Sequence, residues 1–167
     1  MAVLLIMAII LSMSVPLLQK QMAIRHLESI AKRFVMQANF ARNQALYLGQ
    51  SVRMVPHNGQ HWSDGWIIAS ACSDKHVKVG CQPKLWLSQE VIYPLYFKNP
   101  GFSDPHSQQK GIQFNAAGAA KTGQGGFVAN RLILGHRHYS DLECQLILGS
   151  GGRWRICNPE VDRKACK

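Results

Sequence analysis
The chain has 167 residues, 47% of them hydrophobic and 17% charged, with 19 Lys and Arg against 9 Asp and Glu. That is enough for one modest core, too charge-poor for a disordered chain and too short for a multidomain enzyme. A formal charge of +10 and a pI near 9.7 favour anionic partners, nucleic acid or lipid headgroups.

No charged residue precedes Lys20, and Met1–Gln19 is a neutral aliphatic block. As a helix it is about 28 Å long, close to the ~30 Å hydrocarbon thickness of a bilayer, so this block is expected to span the membrane. A cleavable signal peptide fits less well, because no basic region precedes the block and no small-x-small cleavage site follows it. Pro16 removes a backbone donor and would kink the helix, which membrane helices tolerate better than soluble ones.

From Leu17 to Leu48 there is neither Gly nor Pro. Ile24, Leu27, Ala31, Phe34, Ala38, Ala41, Ala45 and Leu48 alternate three and four apart, which predicts an amphipathic helix with one apolar stripe. Arg25, Lys32, Arg33 and Arg42 fall off that stripe and are expected to face water or acidic neighbours. The alanines thin the helix so that a sheet can approach it. A coiled-coil seam would instead need bulky residues throughout. The two segments together predict one helix about 72 Å long, its rear half packed on the rest of the chain.

Gly49 ends the helix, and the period changes to that of strands. Ser51–Val55, Trp66–Ser70, Leu85–Leu87, Val91–Phe97, Gly111–Asn115, Gly126–Ala129, Arg131–Leu134, Glu143–Leu148 and Arg153–Cys157 are predicted strands. Turn-forming clusters rich in Gly, Asn and Pro separate them. The predicted fold is α+β: a long N-terminal helix packed on one small, mostly antiparallel β domain spanning residues 49–167.

Five cysteines, at positions 72, 81, 144, 157 and 166, all lie in this domain. Cys72 with Cys81 and Cys157 with Cys166 each bracket a short segment, which suggests two local disulfides and an oxidising compartment. If Ser150-Gly151 turns the last hairpin, Cys144 faces Cys157, so that pairing with a free Cys166 competes, and sequence leaves the connectivity open. Positive-inside reasoning conflicts with export, because it would hold Lys20 and Arg25 in the cytoplasm.

Enzyme signatures are missing. There is no HExxH, GxSxG, Walker loop or dinucleotide fingerprint. Ser29-Ile-Ala-Lys32 with Lys121-Thr-Gly123 matches the pair used by penicillin-recognising enzymes only superficially, since Ser29 belongs to the long helix and no third motif intervenes. Cys72, His76 and Cys81 lack zinc spacing, and His136 and His138 read as two exposed histidines beside Arg137. No catalytic residue, cofactor or metal is expected.

Gly152-Arg153-Trp154-Arg155 follows a glycine-rich turn. Strand alternation puts Arg153 and Arg155 on one face and Trp154 with Ile156 on the other. Neighbouring guanidiniums suit phosphates, and Arg163, Lys164 and Lys167 add charge in the tail. Composition alone weighs a solvated, Arg-rich strand face above a phosphate site, and Trp154 above all as core.

The neutral block running into an amphipathic helix and a Cys-bearing β domain resembles a type IV pilin. More narrowly, His61-Trp62-Ser63-Asp64-Gly65-Trp66, the stretch Ile112 to Gly118 and Gly152-Arg153-Trp154-Arg155 are similar, in that order, to the FimT/FimU minor pilins and the GspH pseudopilins. The resemblance implies a helix held in the inner membrane, a periplasmic β domain and assembly with other pilins into a filament that displays the domain outside the cell. The FimT branch implies binding of extracellular DNA during natural transformation, with Arg153 and Arg155 in the positions of its GRxR motif. A structural or priming role in the pilus, or service in type II secretion, are the other roles it implies. The family's basic leader, peptidase site and following Glu do not precede the block here, as though the chain began within the mature helix; that would also resolve the orientation conflict.

Overall fold
The computed structural model describes residues 2–71, 83–98, 111–121, 130–149, 151–159 and 166, with side chains from Ser14 onward. Helix α1 runs without interruption through Ala2–Leu48, about 70 Å at ~1.5 Å per residue, with Pro16 inside it. It stops at Gly49, whose φ of 61° suits the residue that closes a helix. Among the residues whose side chains are described, no helix is long and apolar enough to cross a membrane. That description begins at Ser14 and so does not reach most of the neutral block.

The strands are β1 (Val52–Pro56), β2 (Trp66–Ser70), β3 (Leu85–Gln89), β4 (Leu95–Phe97), β5 (Ile112–Phe114), β6 (Ala120–Lys121), β7 (Asn130–His136), β8 (Glu143–Leu148) and β9 (Trp154–Cys157). They form two antiparallel sheets rather than one, in the orders β3-β2-β1-β5-β6 and β4-β7-β8-β9. Helix α1 contacts both, reaching β1 and β5 on one side and β7, β8 and β9 on the other.

This double contact widens the buried face of α1. Leu27, Ala31, Phe34, Ala38, Ala41 and Ala45 are buried, but so are Ala23, Ile30 and Gln37, which lie beside the single row that periodicity picks out. Ile24 is half-buried against the core. Leu48 is 41% exposed, so the buried stripe ends at Ala45: Leu48 is the last helical residue, where the chain leaves the helix for β1. Arg42 also departs from its expected place in water. It is half-buried, and its Nε donates to the Gly118 carbonyl at 2.8 Å.

Other boundaries shift for local reasons. Residues 91–94 are not strand: Leu95 N donates to the Ile92 carbonyl at 2.9 Å, closing a turn that contains Pro94, which has no N–H for a ladder. The expected strand Gly126–Ala129 lies outside the described residues, and β7 continues to His136. Short β6 pairs with β5 across a turn held by Asn115, whose side-chain oxygen accepts from Ala117 N and Ala119 N.

The core centres on Phe34. Its ring lies 5.0 to 5.5 Å from those of Trp62, Trp66, Phe97 and Trp154, edge-on to the three tryptophans and tilted to Phe97, an arrangement that adds to their area burial. The Trp66 indole N–H donates to Gln37 Oε1 at 2.6 Å, which satisfies both groups in the interior. A short 3-10 helix, Trp62–Asp64, joins the sheets: Ser63 Oγ accepts from Phe97 N on β4, and the Ser63 carbonyl accepts from Ile92 N.

Candidate nucleic-acid interface
The last hairpin is set by glycine chemistry. Gly152 adopts φ 77°, and a Cβ there would stand 2.5 Å from the Gly118 carbonyl and 3.1 Å from Arg42 Nε. Only glycine allows both that backbone conformation and that approach. The hairpin turn, the loop after β5 and the rear of α1 therefore lock together at one point, Arg42 binding Gly118 while Gly152 closes over both. The turn closes through Gly152 N to the Gly149 carbonyl and Gly149 N to the Arg153 carbonyl, 2.9 Å each.

The resulting register pairs Leu148 with Trp154, Ile147 with Arg155, Leu146 with Ile156 and Gln145 with Cys157. Cys144 therefore does not face Cys157. It pairs with Leu134, points inward and is buried, its thiol pushed up to about 11 chiefly by desolvation. A loop one residue off the assumed turn reverses the face of every partner. Cys157 is bonded instead to Cys166, their Cα atoms 5.5 Å apart. Cys72 and Cys81 lie outside the described residues.

Arg153 and Arg155 are exposed, Arg153 in the turn just before β9 and Arg155 on β9, the edge strand of the four-stranded sheet. Among the described residues neither forms an ion pair. Trp154 between them turns inward and half-buries its indole against Phe34, 5.4 Å away, so it holds the strand down rather than offering a stacking surface. Ile156 pairs with inward Leu146 but remains 41% exposed. It borders a groove of about 380 Å³ with Ile24, Leu27, Lys32 and Leu142.

Sequence reading missed Arg131. In the register Arg131 stands opposite Ile147, which stands opposite Arg155, so one row across three strands of the outer face carries two guanidiniums. Alternation with buried Leu132 and Leu134 signals that Arg131 faces outward, but only strand pairing shows what it stands beside. Arg131 Nη2 donates to the Cys166 carbonyl at 3.2 Å, and with the disulfide it holds the end of the tail onto this face. Arg163, Lys164 and Lys167 lie outside the described residues.

The histidines correct another expectation. His138 is exposed, but His136 is buried, with its Nδ1 accepting from His138 N at 3.2 Å. Burial above all, and the nearby His138 and His26, hold its pKa below the usual histidine value. Among the described residues no group of three or more potential ligands is placed to hold a metal ion.

The model of the family described as type II transport protein GspH matches residues 31–166. No curated protein matches the chain. Among solved structures, the type IV minor pilin FimU of Pseudomonas aeruginosa is similar at 14% identity and a TM-score of 0.56, over 86% of this chain and 92% of that one. The minor pseudopilin EpsH from the type 2 secretion system of Vibrio cholerae is similar at 12% identity and a TM-score of 0.55, over 80% of this chain and 98% of that one. These likenesses establish the fold.

Proposed function
Since the chain belongs to the family of the type II transport protein GspH, we propose that it is a minor pilin whose C-terminal hairpin binds extracellular DNA for uptake in natural transformation. Its Met1–Gln19 block anchors the subunit in the inner membrane with the β domain in the periplasm, and other pilins take it into a filament. The observation that carries the DNA reading is that Arg153 and Arg155 are both exposed at the start of an edge strand, while Trp154 between them is anchored on Phe34. A pair of forked donors suits neighbouring phosphates, and contacts to phosphate carry no base-sequence information. Arg163, Lys164 and Lys167 strengthen the same field.

The test is a mobility shift with the full chain in neutral detergent. Arg153→Ala with Arg155→Ala is expected to abolish binding to a duplex while leaving the melting temperature unchanged. Equal affinity in the double variant would refute the assignment.

A second reading is a subunit that serves type II secretion, which the description of the matching family favours, or one that primes pilus assembly. In that reading the arginines face a neighbouring protein. A deletion strain with normal pili and lost transformation supports DNA capture; loss of pili or of secretion supports the second reading.

A further inference from the structure
On the reading that the hairpin arginines hold DNA, we propose that Tyr93, Tyr96 and Arg137, at the opposite end of the same sheet face, bind single-stranded DNA by stacking its bases. Tyr96 lies between Leu95 and Phe97, which both face the core, so its ring is on the outer face, opposite Gly135 on β7. Arg131 is on that face too, four residues away along the same strand, about 13 Å at ~3.3 Å per residue. The arginine row and the tyrosines are thus two ends of one surface.

The cluster has the composition of a base platform. The Arg137 guanidinium carbon lies 5.8 Å from the centroids of both Tyr93 and Tyr96. Arg137 is exposed, and Tyr93 is 64% exposed, so that ring contributes little to the core and keeps most of its surface open. The surrounding charge favours an anion. Glu143, on the same face, is already paired with Lys98, which folds its alkyl chain over Gly135. Arg137, Arg153 and Arg155, for which no ion pair forms among the described residues, leave the described part of this face positive.

Phosphates satisfy the cations but give the rings nothing, and an aliphatic acidic peptide does the same. Single-stranded DNA supplies both charge and exposed base faces, whereas duplex DNA keeps its bases stacked internally. The face therefore holds duplex through phosphate contacts centred on the hairpin arginines, and single strands through those contacts together with the stacked rings.

The experiment compares a 20-nucleotide oligo-dT, a 20-base-pair duplex and polyglutamate, each titrated against the full chain in neutral detergent at one salt concentration. Tyr93→Ala is expected to weaken oligo-dT binding about tenfold, the loss of roughly one stacked base, and to leave duplex binding within about twofold. Arg137→Gln, at an exposed position, is expected to act in the same direction and controls for any local collapse around Tyr96. If both variants bind oligo-dT like the parent while Arg153→Ala with Arg155→Ala loses both nucleic acids, the platform is refuted and the hairpin assignment stands. If the parent binds neither nucleic acid, both fall. Polyglutamate bound as tightly as oligo-dT, with the same sensitivity to Tyr93→Ala, would also overturn the platform, since that ligand has no bases to stack.

Discussion
Truncating Phe34 removes the ring that three tryptophans and Phe97 surround. Phe34→Ala is expected to cost about 3–5 kcal/mol in urea unfolding followed by tryptophan fluorescence. A loss below about 1 kcal/mol would mean that the aromatic cluster is not the centre of the core. At Gly152 the effect is steric and conformational: the added methyl of Gly152→Ala meets a backbone carbonyl at 2.5 Å in a φ of 77°. That variant is expected to lose about 1–3 kcal/mol, while Gly151→Ala, with nothing within 4 Å, loses little. DNA affinity is expected to fall with Gly152→Ala as well, because this contact sets the hairpin that presents Arg153. Neither residue's role is visible locally. Phe34 reads as one more member of a stripe, and Gly152 as one more glycine in a turn.

Helix α1 and the β7–β8 connection meet through titratable groups. Lys20 on α1 pairs with Asp141 at 2.6 Å, and buried His136 at the end of β7 feels His26 on α1 and His138 beside it, with Arg137 adjacent. His136 titrates below its ordinary value of 6.5 in the folded chain, so between the two values the unfolded chain holds more protons. Its contribution is therefore fully present above about 6.5 and is lost as pH falls towards the folded value. Asp141, held low by its hydrogen bond from Lys20, loses that partner only at lower pH, in the carboxylate range, so both effects loosen the junction in acid. The melting temperature is expected to drop between pH 7.5 and 5.5, and His136→Gln should flatten that drop. An unchanged slope in the variant would locate the acid sensitivity elsewhere. The periodicity of α1 was legible enough to place Leu27 to Ala45 on one row, but the second row through Ala23, Ile30 and Gln37 was not, because it exists only where a second sheet covers the helix.

For the whole molecule the dominant quantity is charge, 19 basic residues against 9 acidic. Binding through phosphate contacts alone is expected to give a log–log salt dependence of about −3 to −5, at about −0.9 per phosphate neutralised. A slope near zero in the parent would rule out backbone binding.

The long helix, the change to strand period at Gly49, the outward placement of Arg153 and Arg155 and the inward Trp154 are all readable from the residues, because each follows from the local period of a single segment. The order of three short motifs was enough to suggest the family. The division of the strands into two sheets, the burial of Cys144 while Cys157 joins Cys166, the covering of His136 and the place of Arg131 two strands from Arg155 emerge only once the chain is folded. The reason is physical. A period says which way a side chain points relative to its own strand, whereas the face it shares and the neighbour it meets depend on strand register. A shift of one residue in a hairpin loop reverses that register along its whole length.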